Sequence, residues 1–244
     1  WNYGFLTSTS KTLLEMKPSY IQITPNLGEL LWKLPPSDEL LALQLAYMDF
    51  LQTDWADELH SLRLGFTRIS LQWKSSISQE KFNRLVPNHQ MSPKPLSKKV
   101  WEIPVCYALE LGEDLNELAK EKHMSVEELI TLHTSPTYRI HFFGFLPGFF
   151  YLNGLHPLLH APRKPIPRLS VPSGSVAIGG SQTGIYPRES PGGWHLIGQS
   201  PVVLFDPQRS SPVWAKSGDQ VKFMPIDLAK FQSWSYDIPT FYLS

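Results

Sequence analysis

The sequence predicts an α+β protein of two units, a small N-terminal α/β sandwich of ferredoxin-like type followed by a closed or half-closed β-barrel. Three observations carry that prediction. Strand-period and helix-period segments are mixed within the first 88 residues. A polar, proline-rich stretch without periodicity, PNHQMSPKPLSKK at 87–99, then reads as an interdomain linker. Beyond residue 100, short apolar strands recur between Gly, Pro and Ser turns, the pattern of a small barrel. The domains are accordingly expected at 1–88 and 100–244.

In the first unit, residues 20–24, YIQIT, alternate as a half-buried strand does. From Asp38 to about Gln52, Leu41, Leu45, Met48 and Leu51 recur at helical spacing, with Pro35 and Pro36 just before. In FTRISLQW a strand places Ile69, Leu71 and Trp73 on one side and Arg68, Ser70 and Gln72 on the other. A short helix is expected from Gln79 to Leu85. In the second unit, WEIPVCY is a strand, and 113–122 and 125–134 are helices. Ser125 and Glu128 stand at capping-box spacing before the second helix. YRIHFF, SVAI, WHLIG, PVVLF and QVKF are the remaining strands.

Composition narrows the function classes. The 244 residues are 42% apolar and 18% charged, with zero formal net charge, so no global field favours nucleic acid or a membrane. No nucleic-acid-binding motif, membrane span or signal peptide is visible. The lone Cys106 lies in an apolar run and reads as a buried structural thiol, and a reducing cytoplasm is the expected compartment.

Function is expected in residues 144–198, which hold ten of the fifteen glycines. Glycine admits positive φ and close approach, and proline fixes φ, so such a stretch holds irregular loops in set shapes. Gly144, Pro147, Gly148, Gly174, Gly184, Gly192 and Gly193 are the expected loop-shaping positions. The segment carries Arg163, Lys164, Arg168 and Arg188 against the single carboxylate Glu189. That excess points to an anionic ligand, with Arg163 and Arg168 as bidentate binders. Gln182, Tyr186 and Trp194 add hydrogen bonds and a stacking face to the same pocket. The bland alternative for the arginines is a solvated basic loop. GGSQTG (179–184) is either an anion nest or a tight turn, and it lacks the lysine of a phosphate-binding loop. His156 and His160 are four apart, but Pro157 intervenes and no third ligand is near, so no metal is expected. Serines 173, 175, 181 and 190 lack a nucleophile elbow and read as caps or turns. The run Phe142, Phe143, Phe145, Phe149, Phe150 and Tyr151 reads as core plus a partner-facing patch. With no carboxylate pair, nucleophile or metal, the chain is not expected to be a complete hydrolase.

GFLPGFFYL, PRKPIPRLSVPSGSVAI, QTGIYP and SPGGWHLIG, in this order and spacing, closely resemble the KipI/PxpB family. That family is also called allophanate hydrolase subunit 1, and it forms one half of the carboxyltransferase region of urea carboxylase. The likeness runs from Trp101 to about Ile226. It implies that the barrel is cyclophilin-like. It also implies the B-type component of an ATP-dependent 5-oxoprolinase, which opens 5-oxo-L-proline to L-glutamate. ATP then acts at the level of a complex with a larger PxpC/KipA-like subunit and a separate PxpA/LamB-YcsF-like subunit. Two other activities go with the resemblance. One is inhibition of a sporulation histidine kinase, and the other is a carboxyltransferase half-site for carboxylated biotin.

Overall fold

A computed structural model of the chain describes residues 17–78, 80, 91–236 and 238–244. They divide into two compact units between Pro95 and Leu96, inside the proline-rich stretch. The helix expected at 79–85 lies, apart from Glu80, outside the described residues.

The first unit contains β1 (Ser19–Thr24), β2 (Leu27–Leu31), α1 (Asp38–Asp54), β3 (Leu59–Leu64) and β4 (Arg68–Trp73). Its sheet order is β1-β2-β4-β3, every neighbouring pair antiparallel. Strands β2 and β3 therefore run parallel with β4 between them, a split βαβ unit closed over by α1. Ser37 caps α1 by accepting the Leu40 N–H, and Asp38 and Glu39 complement the positive end of the helix dipole.

Ile69, Leu71 and Trp73 are buried as the alternation requires. The buried face of α1 is wider than the expected stripe. It takes in Leu40, Leu41, Ala42, Leu43, Gln44, Tyr47 and Leu51, so Leu41 and Leu51 are buried as expected while Leu45 and Met48 are half-buried. The polar member is Gln44. Its amide donates to the carbonyls of Gly65 and Arg68, so a polar side chain occupies the core without an orphaned donor. The end of the proline-rich stretch is anchored to this unit rather than free. Met91 packs on its core, and the Lys94 N–H donates to Ala42 O at 2.9 Å.

The second unit is a closed seven-stranded barrel, in the order β12-β9-β10-β7-β6-β13-β5 and back to β12. Its strands are β5 (Lys99–Cys106), β6 (Tyr138–Phe143), β7 (Phe150–Asn153), β9 (Ser175–Gly179), β10 (Gln182–Ile185), β12 (His195–Gln199) and β13 (Gln220–Ile226). β5 and β13 pair in parallel over seven positions, Gln220–Val100 through Ile226–Cys106. The length of β5 allows closure, because Cys106 at its end meets Gln199 of β12 while its start carries β14 (Thr240–Leu243). Inside sit Ile103, Val105, Ile140, Leu152, Ile178, Ile197 and Phe223, all fully buried. Helices α2 (Leu115–Glu121) and α3 (Val126–Thr134) cover one side, and the expected capping box of Ser125 and Glu128 opens α3. A short α4 (Leu228–Gln232) follows β13.

PVVLF (201–205) is not a strand, although Val202 and Leu204 are buried. The Val203 carbonyl is satisfied by Trp214 Nε1 and Arg209 instead of a ladder, and Pro201 has no N–H to offer one. The glycine-rich segment adds a second layer outside the barrel. β8 (Arg168–Val171) and β11 (Ser190–Gly192) form a two-stranded ribbon. An outer apolar cluster of Phe149, Val171, Ala177, Tyr186, Trp194 and Leu196 packs there, separate from the barrel interior.

Candidate functional site

The extended chain entering β12 places Trp194 and Leu196 in the outer cluster while Ile197 enters the barrel. Trp194 thus floors a cavity of about 250 Å³ on the outer face, walled by Phe145, Phe149, Tyr151 and Tyr186. Phe149 meets Trp194 and Tyr186 edge-to-face at 5.6 and 5.8 Å, so the walls brace one another. Gly192 is required here, because a Cβ at that position would fall inside the Tyr186 hydroxyl. The mouth is cationic. The Arg163 guanidinium carbon stands 5.9 Å from the Trp194 ring centroid, and among the described residues no carboxylate pairs with it. Burial pushes the Tyr186 phenol up, opposed by its hydrogen bond with the Trp194 backbone and by the Arg163 charge. The cavity therefore presents neutral phenols and fixed positive charge at neutral pH.

Lys164 lines the same cavity, and its ammonium lies 2.6 Å from Asp114. Asp114 is a buried hub. One carboxylate oxygen takes Lys164 and Arg168 Nη2, and the other takes Arg168 Nη1 and the Leu196 N–H, at 2.6–2.8 Å. Burial alone would raise its pKa, but the hydrogen bonds from Arg168, Lys164 and Leu196 prevail and hold it below the usual carboxylate range.

The expected site residues separate accordingly. Arg163, Tyr186, Trp194, Gly192 and Gly193 converge on the cavity. Arg168 does not, since both ends of its fork are taken by Asp114, and it ties β8 to the loop before α2. Gln182 opens β10 opposite Gly179, at a hairpin turn away from the cavity. Gly184 lies beneath the rings of Phe149 and Trp194, where a Cβ would press on Phe149. Gly174 turns between β8 and β9 with φ 80°, its N–H bonded to Tyr186 O. Gly144, Pro147 and Gly148 shape the loop before β7 and border a neighbouring open groove of about 580 Å³.

GGSQTG resolves as the tight turn. The Gly180 N–H is already bonded to Ala161 O, which leaves no anion nest around it. His156 caps a single 3₁₀ turn through Leu158 N–H, and His160 bonds Leu155 O, so the two imidazoles serve local structure. No group of metal-ligating side chains gathers among the described residues. Ser173 Oγ donates to Pro187 O, and Cys106 is buried. No helix among the described residues is long and apolar enough to cross a membrane.

Asp114 was not legible as part of this site. It occupies the N-cap position of α2, where Asp is ordinary, yet makes no side-chain cap bond. The walls Phe145, Phe149 and Tyr151 read as core or partner-facing aromatics. What the arrangement can do is hold a small, flat, mostly apolar molecule that carries a negative group.

A family model for the carboxyltransferase domain, subdomain C and D, matches residues 29–215. The B-type component of the Bacillus subtilis 5-oxoprolinase is 49% identical over 131 residues, which are 54% of this chain and 55% of that protein. The chain thus spans about half the length of the curated relatives it matches. Among solved structures, TTHA0988 superposes with a TM-score of 0.71 at 36% identity, over 82% of this chain and 40% of that one. The urea carboxylase of Kluyveromyces lactis gives a TM-score of 0.71 over 89% of this chain and 22% of that one, at 15% identity, a likeness of fold alone.

Proposed function

The chain belongs to the family of the carboxyltransferase domain, subdomain C and D, and on that premise we propose that it is the B-type component of an ATP-dependent 5-oxoprolinase. The names of its relatives support the reading, and one observation carries it: Arg163, without a carboxylate partner among the described residues, stands over Trp194 at the mouth of an aromatic cavity. 5-oxo-L-proline is a flat five-membered lactam with one carboxylate. Arg163 would grip the carboxylate through its planar fork, and Trp194, Tyr186 and Phe149 would take the ring. In the proposed reaction ATP transfers its terminal phosphoryl group to the lactam oxygen. Water then adds to the lactam carbonyl carbon, the ring C–N bond breaks to give γ-glutamyl phosphate, and a second water displaces phosphate to leave glutamate. The positive mouth offsets the charge of the substrate carboxylate during those steps.

The Gly180 N–H, already bonded to Ala161 O, is not free to cradle a phosphate. We assign ATP binding to a partner protein, a larger PxpC/KipA-like or a separate PxpA/LamB-YcsF-like chain, in a cytoplasmic complex. A second reading, a carboxyltransferase half-site for carboxylated biotin, is favoured by the urea carboxylase fold and by the family description. The two part in one experiment. The purified chain, alone and with its partner subunits, is assayed for 5-oxoproline-dependent ATP hydrolysis and for decarboxylation of carboxybiotin. ATP hydrolysis by the complex, with none by the chain alone, is the expected result. Carboxybiotin turnover without ATP hydrolysis would reverse the order of the two readings.

A further inference from the structure

Phe145 stands at the rim of the cavity in a conformation that its own side chain disfavours. Its φ is 66°, in the left-handed region that a Cβ-bearing aromatic rarely enters, and it is 59% exposed. The backbone around it leaves little choice. Leu146 N–H donates to Gly144 O, Phe149 N–H to Leu146 O, and Gly144 N–H to Phe149 O, at 2.8–3.1 Å. Glycine would satisfy this turn without strain. The phenylalanine ring is not held by burial either, for it meets the edges of Phe149 and Tyr186 at 5.5 and 6.2 Å between centroids and is otherwise largely solvated. It borders the aromatic cavity on one side and the open groove on the other. A strained backbone thus keeps a large, exposed ring beside the aromatic box that Arg163 closes electrostatically.

We propose that Phe145 is the specificity-determining cover of this cavity, closing on the face of a bound planar ring and selecting the cyclic lactam over its open-chain product. This rests on the reading of the cavity as the 5-oxoproline site. The chemistry of the two molecules supports the discrimination. The lactam offers a flat, uncharged ring to an aromatic face. Glutamate offers a flexible chain with an added ammonium and a second carboxylate, and an aromatic cover strips water from both without replacing it. Removal of the ring should cost the lactam its stacking partner and leave glutamate, which never gained it, almost unaffected.

The test is calorimetric titration of the full chain with 5-oxo-L-proline and with L-glutamate, for the unaltered protein, Phe145→Ala, Phe145→Gly and Arg163→Ala. Thermal unfolding is followed on each. The preference for the lactam over glutamate should fall about tenfold in both Phe145 variants, the loss expected of one aromatic stacking contact. Phe145→Gly should also melt no lower than the unaltered protein, because the strained φ is relieved. Arg163→Ala should weaken both ligands, since both carry a carboxylate. If Arg163→Ala loses binding but the preference survives in Phe145→Ala, the cover is refuted while the site stands. If Phe145→Gly melts lower and weakens both ligands equally, the ring is a scaffold element and the proposal also fails. If the unaltered chain does not bind the lactam, or Arg163→Ala binds it normally, the cavity is not the site, and the cover falls with it.

Discussion

Replacing Asp114 with asparagine should destabilise the barrel unit while leaving the N-terminal unit untouched. The carboxylate accepts four hydrogen bonds at 2.6–2.8 Å, two from the Arg168 fork, one from Lys164 and one from the Leu196 N–H. Asparagine keeps one acceptor but turns a donor amide toward the two cations, so at least two bonds fail. Among the described residues, Arg168 and Lys164 are then left with only the exposed carboxylates of Glu113 and Glu117, at 3.4 and 3.5 Å. Removing one partner of a fully buried ion pair costs about 3–5 kcal/mol. The side chains of Arg168 and Lys164 are 24% and 21% exposed, so water recovers part of that, and about 2–3 kcal/mol is expected. Urea unfolding, with the two units followed separately, measures the loss. The pH dependence gives a second reading. The folded pKa of Asp114 lies below its unfolded value, so its contribution is complete above about pH 4 and is lost as pH falls through the folded value. The gap between the unaltered protein and Asp114→Asn should therefore be constant near neutrality and close in acid. A neutral-pH loss below about 0.5 kcal/mol, the size of an exposed pair, would refute the role of Asp114 as the hub beneath the cavity.

Two further perturbations probe the barrel and the cavity. His133 is fully buried, bonded to Tyr107 Oη and Thr183 Oγ1 and stacked on Phe223, and burial depresses its pKa to about 3. Its folded pKa lies below the unfolded 6.5, so stability should fall as pH drops below 6.5, by up to about 1.4 kcal/mol per pH unit, and His133→Gln should lack that slope in acid unfolding curves. Gly192→Ala should displace the Tyr186 phenol, so 5-oxoproline binding should weaken at least tenfold by calorimetry, about 1.4 kcal/mol, in a chain that still folds. Unchanged binding would show that Tyr186 is not a wall of the ligand site.

The fold was legible where local chemistry and tertiary packing agree. The alternation of Ile69, Leu71 and Trp73 and the Ser125–Glu128 capping box needed no distant partner, and they stand as read. The readings that moved all depended on residues far away in sequence. The buried face of α1 takes in Gln44 because its amide finds the carbonyls of Gly65 and Arg68, which no helical pattern displays. PVVLF has strand chemistry, but its backbone partner is an indole 11 residues on. Within 144–198 the arginines outnumber carboxylates, but the carboxylate that takes Arg168, Asp114, lies 54 residues upstream. Arg163 has the same residue type and neighbourhood, and only the third dimension separates the two. The glycines mark where the loops had to be tight, and the aromatics brought together by those loops became visible as a cavity only once folded.

The most direct test of the account is turnover by the complex reassembled with Arg163→Ala and Arg163→Lys chains, with assembly checked by sedimentation. A charge-assisted contact of about 1.5–3 kcal/mol corresponds to roughly a ten- to hundredfold loss in kcat/KM for 5-oxoproline. Lysine should restore only part of it, because an ammonium keeps the charge without the planar fork. Complexes that assemble and hydrolyse ATP with 5-oxoproline at the unaltered rate after Arg163→Ala would contradict the account, and the aromatic cavity would not be where the lactam binds.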